Sequence, residues 1–324
     1  MTDLTNLLNG FKSGNRRSLA QVITIIESTL ASDKTLSKEI FKQLGQLSKQ
    51  SLRIGVTGSP GVGKSTLIEN LGLFYIEKGL KVCVLAVDPS SPRSGGSILG
   101  DKTRMLGLTN STNAYVRPSP TGRAQGGVAD RTHDVIRVCE AFGFDYIIVE
   151  TVGVGQTELA VASMVDVLML MLLPHAGDEL QGIKKGVMEC ADLIFVNKED
   201  VDAVGAQRLL TQCKSALKLF RPKWDYWEVP VIKGSSTNQL TIECLASEIK
   251  KFTGTVYAHG KWSQRRQDQD LNWFRQEVMQ QVLQASLRNK KYEKQIQGLE
   301  LDYLNSKKSF EEAMREILTV IGLD

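Results

Sequence analysis

Residues Gly58 to Ser65 read Gly-Ser-Pro-Gly-Val-Gly-Lys-Ser and satisfy the pattern G-x-x-x-x-G-K-[ST]. The residue types define the chemistry. Glycines let the backbone curl so that successive N–H groups point at phosphate oxygens, and a helix starting immediately afterwards adds its positive end to the same spot. The Lys64 ammonium then reaches the outer phosphates, and the Ser65 hydroxyl is a ligand for magnesium. The expected nucleotide-binding run is Gly58, Ser59, Pro60, Gly61, Val62, Gly63, Lys64, Ser65 and Thr66, with Lys64 also catalytic.

A second stretch addresses the base. Phe195-Val-Asn-Lys-Glu-Asp closes an apolar run with N-K-x-D. Asp200 is placed to accept from the N1–H and N2–H groups of guanine, a donor pair that adenine lacks. Lys198 would lie along the base plane and Asn197 would brace the loop. Alone the tetrapeptide is ordinary turn chemistry; following a phosphate loop within one sheet, it favours guanine. Ser235, in the later Lys-Gly-Ser-Ser turn, joins the same set.

Three predicted strand ends deliver acids toward the phosphates: Asp88 in AVDPSSP, Asp101 in GGSILGDKTRM and Glu150 in VETVGVGQ. Magnesium keeps several waters in octahedral geometry, and carboxylates orient them. The expected metal set is Ser65, Asp88, Asp101 and Glu150. Glu150 stands where many nucleotide switches carry aspartate; its extra methylene suits it to hold a metal-bound water while Gly153 keeps an amide free for the terminal phosphate. Gln156 is a candidate for positioning the attacking water, and a helix-starting surface glutamine is an equally good reading.

These residues need a scaffold that gathers strand ends. Seven short apolar runs (LRIGVTG, KVCVLAVD, AYVRP, DYIIVE, DVLMLMLLP, DLIFVNK, VPVIKGS) alternate with helical patterns. That is the signature of an α/β fold: a mostly parallel, about seven-stranded sheet flanked by helices, with ligands at the strands' carboxyl ends. Residues 1–50 carry two helical stripes, Leu19, Val22, Ile23 and Ile26, then Leu36, Ile40, Leu44 and Leu47, so two helices are expected before the first strand. The expected organisation is an N-terminal helical segment (1–50), a phosphate-loop domain (51–254) and a C-terminal helical extension (255–324).

Composition narrows the class. With 42% hydrophobic and 23% charged residues among 324, the chain folds around a sizeable core. Forty basic against 36 acidic residues give a net charge of +4, which implies no nucleic-acid partner and no membrane partner. Five scattered cysteines without a C-x-x-C pair read as reduced thiols, and with no signal-peptide pattern the expected compartment is the cytoplasm.

The blocks GVTGSPGVGKST, AVDPSSPRSGGSILGDKTRM, VETVGVGQTE, DELQGIKKGVME and NKED resemble, in order and spacing, the MeaB-type GTPases associated with methylmalonyl-CoA mutase, also labelled ArgK or lysine/arginine/ornithine transport kinases. The resemblance covers nearly the whole chain. It implies a GTP-hydrolysing chaperone cycling between GTP and GDP with Mg2+, which docks on a cobalamin-dependent acyl-CoA mutase and gates adenosylcobalamin delivery. It implies that Asp88, Asp101 and Glu150 cooperate at the metal, that Lys184 is a mobile-loop lysine brought toward the nucleotide, and that the C-terminal arm makes a homodimer. Departures are His175, where a small residue is expected, and Glu199, where alanine is common. Trp224 and Trp227 read as aromatics packed under the sheet edge. The competing readings are a transport-linked kinase and a nickel-insertion GTPase; the chain has three scattered histidines and no His-rich tract for the latter.

Overall fold

The computed structural model describes residues 4–28, 30–44, 51–88, 105–120, 127–151, 156–174, 185–287, 290–305 and 307–321. In chain order the elements are α1 (Leu4–Lys12), α2 (Arg16–Glu27), α3 (Ala31–Leu44), β1 (Leu52–Gly58), α4 (Lys64–Glu77), β2 (Val82–Asp88), α5 (Leu106–Asn110), β3 (Ala114–Pro120), α6 (Gly127–Phe142), β4 (Tyr146–Thr151), α7 (Gln156–Ala162), β5 (Val167–Leu172), α8 (Lys185–Cys190), β6 (Leu193–Val196), α9 (Ala203–Leu217), β7 (Val231–Lys233), α10 (Gln239–Ala258), α11 (Trp262–Leu287), α12 (Lys290–Leu304) and α13 (Phe310–Ile321). They form two compact units, residues 1–265 and 266–324.

The first unit is built on one seven-stranded sheet of order β3-β2-β4-β1-β5-β6-β7, every neighbouring pair parallel. Each expected strand is present. Parallel strands need helical crossovers on both faces, so their apolar runs are buried twice over: all six residues of β5 are buried, as are all four of β6. On one face Leu67, Ile68 and Leu71 of α4 pack with Ile242, Leu245 and Phe252 of α10 over Ile54, Val56 and Ile148. On the other, α6 and α7 join the N-terminal helices over Cys83, Ile147 and Val149.

Among the described residues three helices precede β1, not two. The stripe Leu7, Leu8 and Phe11 of α1 is buried, and Asn15 then caps α2 by accepting from the Arg17 and Ser18 amides, which separates the two helices. In α2 the expected residues Leu19, Val22, Ile23 and Ile26 are all buried. In α3 only Ile40 is, because that helix presents a mostly polar surface; Leu47 lies outside the described residues.

The far sheet edge is tied by Asp192, fully buried at the entry to β6. It accepts from the Leu168 amide (2.9 Å), Trp224 Nε1 (2.9 Å), Lys223 Nζ (2.7 Å) and Arg265 Nη2 (3.3 Å). Trp227 Nε1 donates to the Asp192 carbonyl at 2.9 Å, and both tryptophans pack on the sheet core. That is the packing role expected of them. Among the described residues no helix is long and apolar enough to cross a membrane.

In the second unit α12 and α13 pack on one another, with Tyr303 edge-on to Phe310 at 6.2 Å and with Ile296, Leu299 and Ala313 buried.

Candidate functional site

The centre of the sheet places β1 between β4 and β5, so the turn that leaves β1 opens above the sheet's carboxyl edge, where such folds bind ligands. Two glycines there are required by geometry. At Gly58 a Cβ would stand 2.5 Å from the Met171 carbonyl oxygen of β5. Gly63 has φ 97°, left-handed, and caps α4; a Cβ there would meet Asn197 Nδ2 at 2.5 Å. The loop is closed by the Val62 amide donating to the Ser59 carbonyl at 3.3 Å.

Lys64, in the first turn of α4, is buried and folds back over the loop, donating to the Gly58 (2.8 Å) and Ser59 (3.1 Å) carbonyls. Burial lowers its pKa, while the charges of Glu150 and Glu158 pull it back up. An ammonium held at the mouth of an N–H-lined loop is a ready partner for phosphate oxygens. One residue on, the Ser65 hydroxyl donates to Glu150 Oε1 at 3.0 Å. Both are hard oxygen donors, the kind that magnesium takes, so the residues present fit that ion. The register pairs Ala86 of β2 with Glu150, which brings the backbone of Asp88, at the end of β2, to the same edge. The Asp88 side chain and all of Asp101 lie outside the described residues, and among the described residues no three acid, His or Cys side chains converge.

The base-side loop is fastened to the phosphate loop by one side chain. Asn197, 2% exposed, donates through Nδ2 to the Val62 carbonyl at 2.7 Å and accepts through Oδ1 from the Ser236 amide at 2.9 Å. Lys198 adopts a left-handed φ of 61° and donates to the Gly61 carbonyl at 3.1 Å, lying over the same loop. Asp200 is exposed beyond it. Glu199 bonds through its amide to the Gly234 carbonyl and pairs with Lys233 at 2.7 Å. Half-buried Ser235 begins the capping turn of α10, its carbonyl accepting from the Asn238 amide. The expected phosphate, metal and base residues therefore share one edge of the sheet where their side chains are described.

Gly153, Lys184 and His175 lie outside the described residues, and for Gln156 only the backbone is described, as the first residue of α7. The sequence reading missed four contributors. Asn70 of α4 donates to the Ser236 carbonyl at 3.0 Å. Thr151 and Thr57 join β4 to β1 through their hydroxyls at 2.9 Å. Glu158 is 6% exposed, and its charge helps keep the Lys64 ammonium protonated. For Glu158 a signal existed: it sits three residues before buried Val161, on the apolar stripe of a short helix.

Comparison with known proteins sets this geometry in a family. The description "Methylmalonyl Co-A mutase-associated GTPase MeaB" matches residues 19–291. The chain is 39% identical to the GTPase ArgK of Escherichia coli over 317 residues, covering 97% of this chain and 95% of that one. It is 42% identical over 289 residues to the mitochondrial methylmalonic aciduria type A homolog of Mus musculus, covering 86% and 70%. A solved structure described as a LAO/AO transport system kinase superposes with a TM-score of 0.77 at 33% identity, over 98% of this chain and 97% of that one. This chain belongs to the MeaB family of phosphate-loop GTPases.

Proposed function

We propose that this GTPase is a chaperone of a cobalamin-dependent acyl-CoA mutase, methylmalonyl-CoA mutase or a relative, and that its GTP cycle gates delivery of adenosylcobalamin to that partner. The single observation that carries the reading is the family match over residues 19–291, with a methylmalonic aciduria type A homolog among the relatives.

In this reading the loop Gly58–Thr66 and Gly153 hold the phosphates, and Asn197, Lys198, Asp200 and Ser235 select guanine. Ser65, Asp88, Asp101 and Glu150 hold magnesium, which when bound neutralises charge on the β- and γ-phosphates. Lys64 stabilises charge on the outer phosphates, Glu150 keeps the metal side ordered through Ser65, and Gln156 orients water. Lys184 supplies a further cation when the partner docks, the arginine-finger role, worth roughly 10³- to 10⁵-fold in rate in other switch proteins. A cytosolic setting goes with this assignment.

The extension 255–324 is proposed as a dimerisation arm. Its support is two exposed apolar stripes at four-residue spacing, Phe274, Val278 and Val282 on α11 and Phe310, Met314 and Leu318 on α13. Such stripes on helices call for a covering surface.

The test is GTP turnover with and without the cobalamin-dependent mutase, with Lys184→Ala alongside. A rate increase that the variant loses while still binding GTP is expected. Turnover indifferent to every such mutase would overturn the partner, and phosphate transfer to an amino acid or transport protein would replace the chaperone by the kinase.

A further inference from the structure

Two loops leave adjacent strands on the base side of the site. Val196, the last residue of β6, pairs in register with Lys233, the last of β7. The pairing runs on into both loops: the Gly234 amide donates to the Val196 carbonyl and the Glu199 amide to the Gly234 carbonyl, both at 3.0 Å. The side chains then meet. The Lys233 ammonium lies 2.7 Å from Glu199 Oε1, and each side chain is 31% exposed. Asp200 follows directly, its Cα about 3.8 Å from that of Glu199. It is exposed, and among the described residues its carboxylate takes no hydrogen bond and no cation. The other lysine of this loop, Lys198, is committed to the Gly61 carbonyl at 3.1 Å.

The loop has its brace without the ion pair. The Val201 and Asp202 amides both donate to the Lys198 carbonyl at 3.1 Å, and Asn197 ties the start of the loop to Val62 and Ser236. What the pair adds is a fixed place for a cation on a flexible four-carbon stem. A carboxylate that reads guanine accepts from two N–H groups, so an ammonium seated on it would occupy acceptor sites that the base needs. With Asp200 as the reader of the base, on which this step rests, we propose that Glu199 is a positioning residue: it holds the Lys233 ammonium off Asp200 and so keeps that carboxylate open to guanine. Once Glu199 is removed, the next acid along the loop for Lys233 is Asp200 itself.

The test uses the full chain loaded with fluorescent N-methylanthraniloyl-GDP, displaced by GDP or by IDP, whose base lacks the 2-amino group. Wild type, Glu199→Ala, Lys233→Ala and the double variant are compared. In Glu199→Ala the GDP affinity should fall about two- to sixfold at low salt, the share of Asp200 that an exposed ion pair of ordinary strength ties up. IDP, which draws less on Asp200, should lose less, so the preference for GDP over IDP narrows. The loss should shrink toward none at about 0.5 M salt as the charges are screened. Lys233→Ala alone should bind like wild type, and adding it to Glu199→Ala should restore both the affinity and the preference. Lys233→Ala binding as weakly as Glu199→Ala, with no recovery in the double variant, would make the pair a strut and overturn the proposal. So would an equal loss of GDP and IDP, or an unchanged GDP affinity in Glu199→Ala. A wild type that does not separate GDP from IDP would overturn the base-reading role of Asp200, and this role of Glu199 with it.

Discussion

The Ser65 hydroxyl donates to the Glu150 carboxylate at 3.0 Å, joining the first turn of α4 to the end of β4 across 85 residues. Glu150→Gln keeps the shape but removes the charge. The expected result is a fall in kcat of about 10- to 100-fold, the usual cost of losing a partner that orients a metal ligand. GDP affinity should change little. Steady-state turnover at saturating magnesium checks this, and an unchanged kcat would remove Glu150 from the chemistry.

Asn197 is the second linchpin, because its two ends satisfy the Val62 carbonyl and the Ser236 amide in a buried setting. Asn197→Ala leaves both groups unpaired, at about 1–3 kcal/mol each. Thermal unfolding should show a lower midpoint, and GDP affinity should drop by at least about tenfold because the phosphate loop loses its brace. A stable variant with intact GDP binding would contradict this role.

Asp200→Asn tests base selection. Asparagine presents a donor where guanine also presents one, so GTP affinity should fall by roughly 10²-fold or more while xanthine nucleotides gain. Competition titrations of GTP, XTP and ATP decide the matter. Undiminished GTP preference would count against Asp200 as the reader of the base.

Asp192 should set the acid limit of stability. Burial opposes its ionisation, but the charges of Lys223 and Arg265 and the bonds from Lys223 and Trp224 outweigh burial and hold its pKa below the ordinary 3.8. The pKa of Lys223 also falls, burial and the like charge of Arg265 outweighing Asp192, but it stays charged throughout the acid range. With the folded pKa depressed, the unfolded chain binds the proton first. The contribution is present above 3.8 and is lost as pH falls through the folded value. Asp192→Asn should cost about 3–5 kcal/mol near neutrality and flatten the decline of the urea midpoint below about pH 4. A wild-type midpoint independent of pH in that range would oppose this assignment.

The stripe Phe310, Met314 and Leu318 predicts the oligomeric outcome of one substitution. If the proposed dimerisation arm is the contact, Met314→Asp, which puts a charge at the middle of an apolar face, should shift the mass toward monomer without lowering GTP turnover. Light scattering after size exclusion measures the mass, and a dimer that survives the charge would place the contact elsewhere.

Much of this protein was determined by the sequence alone, for a physical reason that is local. A phosphate loop works through the curl of consecutive backbone amides, so G-x-x-x-x-G-K-S carries its own geometry within eight residues. A strand covered on both faces must be apolar throughout, and so β5 and β6 are visible as unbroken runs in the sequence. Strand order was not visible, because pairing β4 with both β1 and β2 depends on contacts far apart in the chain. The same holds for the Asn197 brace, made across 135 residues, and for the gathering of Lys223, Trp224 and Arg265 around Asp192. Helix α1 carried its stripe in the sequence, and the turn after it closes through left-handed Gly14 before Asn15 caps α2. Glu158 shows the division most sharply. Its spacing marks it as an acid on an apolar stripe, and only the folding of α7 against one face of the sheet buries that acid to 6% exposure.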